Sequence, residues 1–407
     1  MNDPHPSRTD MDVEVAILGG GLSGGLLAVA LAECAPQLRV VLVEQDKRLA
    51  GNHTWCCHGS DLESAWGTSL GAWFRSLVKH RWSQVQVQFP SFHRRIDGEY
   101  LCIPSDALES KVAQAMARPG AQILLGERVQ SASSSEVVLE SGRRLQARLV
   151  LDARGSRARK GGAGFQKFLG WEIESAEPAL GLGRIPTLMD ATVDQVDGYR
   201  FVYVLPMSST RFLVEDTYFS RGPVLAREIL ADRLRSYLGA RGVDRYEIVR
   251  EESGVLPMPW KVGDDQEGGY SAPVAVGYRA GLFHPATGYS LGLAAQTAER
   301  IARAAADSPP ESLHKVASSI VVDLRAELDA NLRFARALNF LAFRAVPGAW
   351  LRRLVFAAVY RLPPDLLARF YAARTTPRDR LALLGAVARL PWPRLALTST
   401  HLNGETP

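Results

Sequence analysis

The chain has 407 residues, 46% hydrophobic and 22% charged, with a formal net charge of +5. That length supports two lobes with real cores and a smaller appendage, and the composition is ordinary for a soluble or peripheral protein. Four cysteines (Cys34, Cys56, Cys57 and Cys102) make no disulfide framework in a chain this size, and nothing stands at metal-ligand spacing from Cys56-Cys57, so no metal site is expected.

Residues Met1–Asp10 are polar and read as a loose tail. Asp10, Asp12 and Glu14 surround the point where a secretory signal would need positive charge. Val13–Leu18 is a short apolar run ending in glycines, Leu22–Cys34 is rich in helix formers, and Arg39–Glu44 is a second buried strand; together they predict a βαβ unit. Trp82–Phe89 alternates strictly. Val85, Val87 and Phe89 fall on one face and Gln84, Gln86 and Gln88 on the other, which predicts an antiparallel sheet with one wet face. Ser105–Met116 reads as a helix, Val137–Leu151 as strands around a turn at Ser141-Gly142, and Trp171–Glu252 as a sheet-like block. That block holds a hairpin, Tyr199–Leu205 and Arg211–Thr217. Val274–Gly277 returns to the buried-strand pattern and Leu291–Ala306 to a helix.

From about Ser318 the chain reads as helical, broken at Pro347, Pro363-Pro364, Pro377 and Pro391. A helical wheel puts Phe334, Leu338, Leu341 and Ala345 on one side and Arg333, Arg336 and Arg344 on another. Asn331–Pro407 holds twelve arginines, three acids and no lysine. So basic a tail points to an acidic surface, and without aromatic–basic interleaving lipid headgroups fit better than nucleic acid. The same pattern suits a helix lying in a membrane interface or a helical lobe packed on the body. No apolar run reaches the ~18 residues a bilayer-crossing helix needs.

Gly19, Gly21 and Gly24 form G-x-G-x-x-G between strand and helix. The first glycine permits the tight turn, the second admits a pyrophosphate to the backbone, and the third lets helix and strand pack closely. The helix opened by Leu22 and Ser23 aims its positive end at the phosphates, and Glu44 ends the second strand where an acid accepts from ribose hydroxyls. Leu149–Gly155, with Asp152, resembles the strand-then-Asp-x-Gly segment of flavoprotein hydroxylases. Gly277–Pro285 resembles their late flavin segment, with Tyr278 where those relatives carry an Asp. These segments favour FAD over NAD. Gly288-Tyr289-Ser290 precedes Leu291–Ala306, whose N-terminus would stabilise a reduced, anionic flavin.

Gly51-Asn52-His53-Thr54-Trp55, Phe201–Pro206 with Glu215-Asp216-Thr217, and Arg279–Ser290 together resemble the bacterial lycopene β-cyclases. The resemblance runs from about Val13 to the C-terminal helices. It implies protonation of the acyclic ψ-ends of lycopene and closure of the cation to β-rings, giving γ-carotene and then β-carotene. It also implies reduced FAD, NAD(P)H as electron source, and no net redox change. The expected fold class is α/β: a Rossmann-like FAD-binding domain (11–80, 105–170 and 265–310) interleaved with a mainly antiparallel sheet domain for substrate (81–104 and 171–264). A C-terminal helical, membrane-associating region (318–400) completes it.

Protonating an alkene at neutral pH needs an acid that keeps its proton. Glu215 lies on a hairpin strand on the side of Leu213, where an apolar pocket raises a carboxyl's pKa. It is the expected acid, matching the Glu of the family's Glu-Asp-Thr; the plain alternative is pairing with Arg200 or Arg211. Asp216 faces the other way. His284 is expected at the catalytic site, and Gly19, Gly21, Leu22, Ser23, Gly24, Glu44, His53, Asp152, Gly281, Gly288 and Tyr289 at the cofactor. Phe201, Tyr203, Tyr218, Phe219 and Trp260 are candidate tunnel aromatics. Expected partners are lycopene and related C40 carotenoids and a membrane surface, with no nucleic acid. The expected location is the cytoplasmic face of the inner membrane. An FAD-dependent monooxygenase and a prenyl reductase on the same fold are the competing activities.

Overall fold

The computed structural model describes residues 11–62, 72–155, 161–196, 198–261, 271–346 and 348–390. The expected boundary at 264–265 and the breaks at Pro347 and Pro391 lie outside them. In chain order the chain forms β1 (Met11–Leu18), α1 (Leu22–Cys34), β2 (Val40–Glu44), β3 (Thr54–His58), α2 (Ala72–Arg75), β4 (His80–Phe89), β5 (Phe92–Pro104) and α3 (Ser105–Met116). Then come β6 (Ala121–Leu125), β7 (Val129–Ala132), β8 (Glu136–Leu139), β9 (Arg144–Asp152), β10 (Ala163–Ser175), β11 (Thr187–Asp190), β12 (Tyr199–Pro206), β13 (Arg211–Ser220) and α4 (Arg227–Gly239). The last elements are β14 (Tyr246–Pro259), β15 (Val274–Ala275), α5 (Leu291–Ala306), α6 (Leu313–Phe340), α7 (Ala349–Val359), α8 (Pro364–Tyr371) and α9 (Pro377–Ala388).

Two compact units result. The first takes the chain up to Arg81, Glu99–Gly161 and Lys261–Leu332; the second takes Trp82–Gly98, Gly162–Trp260 and the chain from Arg333 onward.

In the first unit the strand order is β6-β2-β1-β9-β8-β7, with β15 beside β9. β6, β2, β1, β9 and β15 run parallel, and β8 and β7 return antiparallel. The predicted βαβ unit is β1–α1–β2, with Val15 opposite Val40. Every residue of α1 from Gly24 to Leu31 is buried, because the helix packs on β1, α3 and α5. A stretch without one charge, Gly-Gly-Leu-Leu-Ala-Val-Ala-Leu, suits a helix covered on all sides.

In the second unit the order is β14-β10-β13-β12-β11-β4-β5. β14 through β11 pair antiparallel, and β11 runs parallel to β4. β5 continues into the first unit, where it pairs with β3. One face of this sheet carries Trp171, Val202, Val204, Val214 and Tyr218 against Leu230, Leu234 and Leu238 of α4. Leucines at i, i+4 and i+8 make that stripe, and burial of each stabilises by roughly 1.5–3 kcal/mol.

Three expectations need correction. The glutamine row of β4 is wet only in part: Gln84 and Gln88 are half-buried, but Gln86 is buried, and its amide donates to Thr187 Oγ1 at 2.9 Å across the β11 pairing. β10 begins at Ala163 rather than Trp171, and its glycines hid it. A Cβ at Gly164 would lie 2.4 Å from the Phe343 ring, so these low-propensity residues are there to let neighbours in. In the tail, the buried side of α6 is Leu332, Ala335 and Asn339, continuing to Phe343; Leu341 is exposed and Phe334 and Leu338 are half-buried. Leu341–Ala345 is a π-helical turn, which breaks the 3.6-residue phase beyond Phe340. Asn339 ties the helix down by donating to the Pro259 carbonyl at 3.0 Å. Pro364 and Pro377 are first-turn residues of α8 and α9, so those breaks are also helix starts.

Candidate active site

The glycine turn after β1 has the build its spacing requires. Gly19 sits at φ 97°, and a Cβ there would meet the Ala153 carbonyl oxygen at 2.9 Å. A Cβ at Gly24 would lie 1.8 Å from the Gly19 oxygen, so only glycine lets α1 come this close. At Gly21 a Cβ would meet nothing within 4 Å, which leaves open space in front of the backbone. Gly21 is also the N-cap of α1 and offers no side-chain cap, so the helix presents bare N–H groups to that space, as a phosphate site needs. Leu22 and Ser23 open the helix, half-buried; a Cβ at Gly277 would fall 2.0 Å from Ser23 Oγ.

Glu44 braces the turn. Its carboxylate accepts from the Gly20 N–H at 2.6 Å and the Asp46 N–H at 2.9 Å. Asp152, buried at the end of β9, accepts from Arg154 (Nε 2.8 Å, Nη2 2.7 Å) and from Arg279 Nε at 3.0 Å. Burial works against its charge, but the two guanidiniums outweigh that and hold its pKa below the usual range. The pair ties β9 to the turn Gly277–Ala280.

Tyr278, which replaces the Asp of the flavoprotein hydroxylases, braces the loop instead. Its hydroxyl donates to the Gly288 carbonyl at 2.6 Å and its ring stacks on Phe283 at 4.1 Å. Gly281 and Gly288 take left-handed backbone, at φ 70° and 74°. His284 is buried inside the loop. Its N–H donates to the Tyr289 carbonyl at 2.8 Å, and its Nδ1 accepts from the Ala286 N–H at 3.3 Å. The Tyr289 hydroxyl meets that of Tyr100 at 2.8 Å. His53 is half-buried, its ring 6.3 Å from that of Trp55. α5 begins with no side-chain cap at Ser290, a second bare helix N-terminus. The sequence reading missed His58, whose ring lies 5.0 Å from Tyr100 and 6.4 Å from Tyr289. Burial lowers its pKa to about 4, so it is neutral at pH 7. Its placement depends on the β3–β5 pairing, which sets it opposite Tyr100 and which no local pattern reveals.

In the second unit, Glu215 stands on β13 directly opposite Tyr203 of β12 and Gly170 of β10. Directly opposed residues share a face. Phe201, Tyr203, Leu205, Leu213, Thr217 and Phe219 therefore lie on the Glu215 face. Phe201 and Phe219 meet edge to face at 5.8 Å, with Phe343 6.3 Å from Phe219 and Trp260 6.1 Å from Phe343. Tyr218 is not part of this row; it packs in the α4 core with Lys167 Nζ over its ring. Neither expected arginine pairs with Glu215. Arg200 forks onto Asp216 on the opposite face (Nη2–Oδ2 2.7 Å), and Arg211 pairs with Glu172 at 2.7 Å. Thr217 donates its hydroxyl to Glu215. Burial first, then the nearby Glu252 carboxylate, push the Glu215 pKa up to about 8 against the pull of Thr217. At neutral pH this carboxyl carries its proton. Glu252 and Gly170 were also missed: they share this face only through the register of β10, and β10 has a bulge at Glu172/Ile173 that no alternation reveals.

Among the described residues no group of His, Cys, Asp or Glu side chains could hold a metal ion. The turn at Gly19–Gly24, Glu44 and the two uncapped helix starts could hold a dinucleotide.

The family model described as lycopene cyclase protein matches residues 14–396. The lycopene beta-cyclase of Paracoccus sp. (strain N81106 / MBIC 01143) is 38% identical over 387 residues, covering 94% of this chain and 95% of that protein. The lycopene beta-cyclase of Pantoea ananas is 36% identical over 380 residues, covering 93% and 95%. Among solved structures, Pseudomonas aeruginosa PqsL, described as a probable FAD-dependent monooxygenase, matches with a TM-score of 0.59 at 19% identity, over 86% of this chain and 100% of that one. That likeness is one of fold, a mixed α/β architecture. On its sequence, this chain belongs to the lycopene cyclase family.

Proposed function

We propose that the protein is a lycopene β-cyclase that turns the acyclic ψ-ends of lycopene into β-rings, through γ-carotene to β-carotene, with no net redox change. Family membership supports the substrate. One observation carries the mechanism: Glu215 stands on a face rich in aromatic side chains, with Arg200 and Arg211 paired elsewhere, a setting that pushes its pKa up to about 8. Glu215 donates that proton to the terminal alkene. Phe201, Tyr203 and Phe219, on the same face, offer ring faces to the cation that results. A proton then leaves the ring to give the β double bond, so product and substrate are isomers.

FAD is the proposed cofactor. The open space at Gly21 and the uncapped start of α1 suit its pyrophosphate, and Glu44 at the end of β2 suits its ribose. The loop that His284 organises through Gly288 and Tyr289 leads to the N-terminus of α5, which suits the negative end of the ring system. When bound in its reduced, anionic form, with NAD(P)H as electron source, FAD supplies negative charge that steadies a carbocation.

The substrate is a hydrocarbon that resides in membranes, and a membrane surface is the proposed partner. Phe340, Leu341, Leu381 and Leu384 are exposed, as are Arg333, Arg344, Arg378 and Arg389 of the same C-terminal segment. Among the described residues no helix is long and apolar enough to cross a membrane. We place the protein peripherally at the cytoplasmic face of the inner membrane.

The test uses purified protein on liposomes carrying lycopene, with FAD reduced without oxygen. A β-ring product of unchanged mass supports the reading. Turnover that waits for oxygen, or a product that has gained hydrogen, replaces it with a monooxygenase or a prenyl reductase.

A further inference from the structure

Three strands bring two carboxylates over one bare backbone position. Glu215 of β13 and Glu252 of β14 are both in direct register with Gly170 of the intervening β10. A Cβ at Gly170 would lie 3.1 Å from Glu252 Cγ and 3.5 Å from Glu215 Cβ and Cγ. Both side chains therefore lean over the glycine, and their Cγ atoms are no farther apart than those two distances end to end. Any larger residue at this position would stand between them.

The charges on this face define what the pair can do. Arg250 grips Glu252 at 2.6 Å and Glu172 at 2.8 Å, while Arg211 holds Glu172 at 2.7 Å and approaches Glu174 at 3.8 Å. Two guanidiniums thus serve Glu172 and Glu252, and neither is bonded to Glu215. Glu252 is buried and its carboxyl group is paired with Arg250. The other groups near Glu215 are Thr217, which donates to it, Tyr203 across β12, and Asp216, engaged by Arg200 on the far face. An ionised Glu215 would add a further carboxylate to a face that already carries Glu172, Glu174 and Glu252. Where two carboxylates share a site, the one without a cationic partner has its pKa raised.

We propose that Glu252, paired with Arg250 and facing Glu215 across the bare Gly170, is a positioning residue that adds to burial in keeping Glu215 protonated and ready to donate. This rests on the reading of Glu215 as the acid. A role in sheet stability alone would leave the protonation of Glu215 unmoved, and that is what the experiment separates.

The full-length protein is titrated by infrared spectroscopy, following the protonated carboxyl band that Glu215→Gln removes; this readout needs no turnover. The pH–rate profile on lycopene liposomes is recorded in parallel. Glu252→Gln is expected to move the band's midpoint and the alkaline limb of the rate down by about one pH unit, roughly a tenfold loss of rate on that limb. Glu252→Asp, which keeps the charge but draws it back, should fall between that variant and the unaltered protein and carries the test if Glu252→Gln does not fold. An unshifted midpoint in both variants overturns the proposal. Absence of β-ring product from the unaltered protein would instead sink the cyclase reading, with the infrared titration still deciding the Glu215–Glu252 coupling.

Discussion

Glu215 and Asp216 are neighbours in sequence and opposites in environment. Asp216 is fully buried against α4 and forked by Arg200, so its charge is compensated. Glu215 faces the aromatic row with only a hydroxyl to support its anion. The alternation of the strand makes one carboxylate structural and its neighbour the proposed acid. Removing one partner of a buried ion pair costs about 3–5 kcal/mol, so Asp216→Ala should lose that much stability in a denaturant titration. Glu215→Gln should leave stability near that of the unaltered protein and lower kcat by about 10²–10⁴-fold, the usual contribution of general acid catalysis. Because the raised pKa of about 8 keeps Glu215 protonated below that value, the rate should hold through neutrality and fall as pH rises past it. A rate that climbs through that range would contradict the assignment.

Among the elements, the glycine turn and its flanking β1, α1 and β2 were legible in the sequence because each glycine has a separate local reason. Those reasons predict different failures. Gly24→Ala puts a methyl 1.8 Å from the Gly19 oxygen and should destabilise the whole unit, whereas Gly21→Val enters open space and should leave the melting temperature of the flavin-free protein nearly unchanged while reducing copurified FAD. Absorbance ratio and thermal melting read both. The Glu215–Asp216 alternation was legible for the same kind of reason, a period of two along one strand. Elements whose residues answer to distant neighbours were not legible. Gly164 and Gly170 look like breaks in a strand until Phe343 and the two glutamates are seen to occupy the space they leave. The buried side of α6 includes Asn339, whose partner is the Pro259 carbonyl 80 residues away, and Gln86 was misplaced because its partner Thr187 lies about a hundred residues away.

For the whole molecule, the arginine-rich tail was read correctly as helical but not as uniformly exposed. Arg352 is buried and Arg369 is held by Asp379, so the basic surface is narrower than its composition suggests. The exposed Phe340 and Leu341, with Arg344 beside them, are the proposed point of contact with lipid. Replacing Phe340 and Leu341 by Asp should reduce sedimentation with anionic vesicles and lower the rate on membrane-borne lycopene, without changing FAD content.

The central claim is that this protein moves a proton, and no net electrons, on a polyene. The most direct measurement is anaerobic turnover of lycopene in deuterium oxide with reduced FAD, followed by mass analysis of the product. The proton added and the proton lost sit on different carbons, so the account predicts one solvent deuterium retained for every β-ring formed, with no reductant consumed in proportion to product. A β-ring product free of deuterium, or one reductant spent per ring, would contradict it.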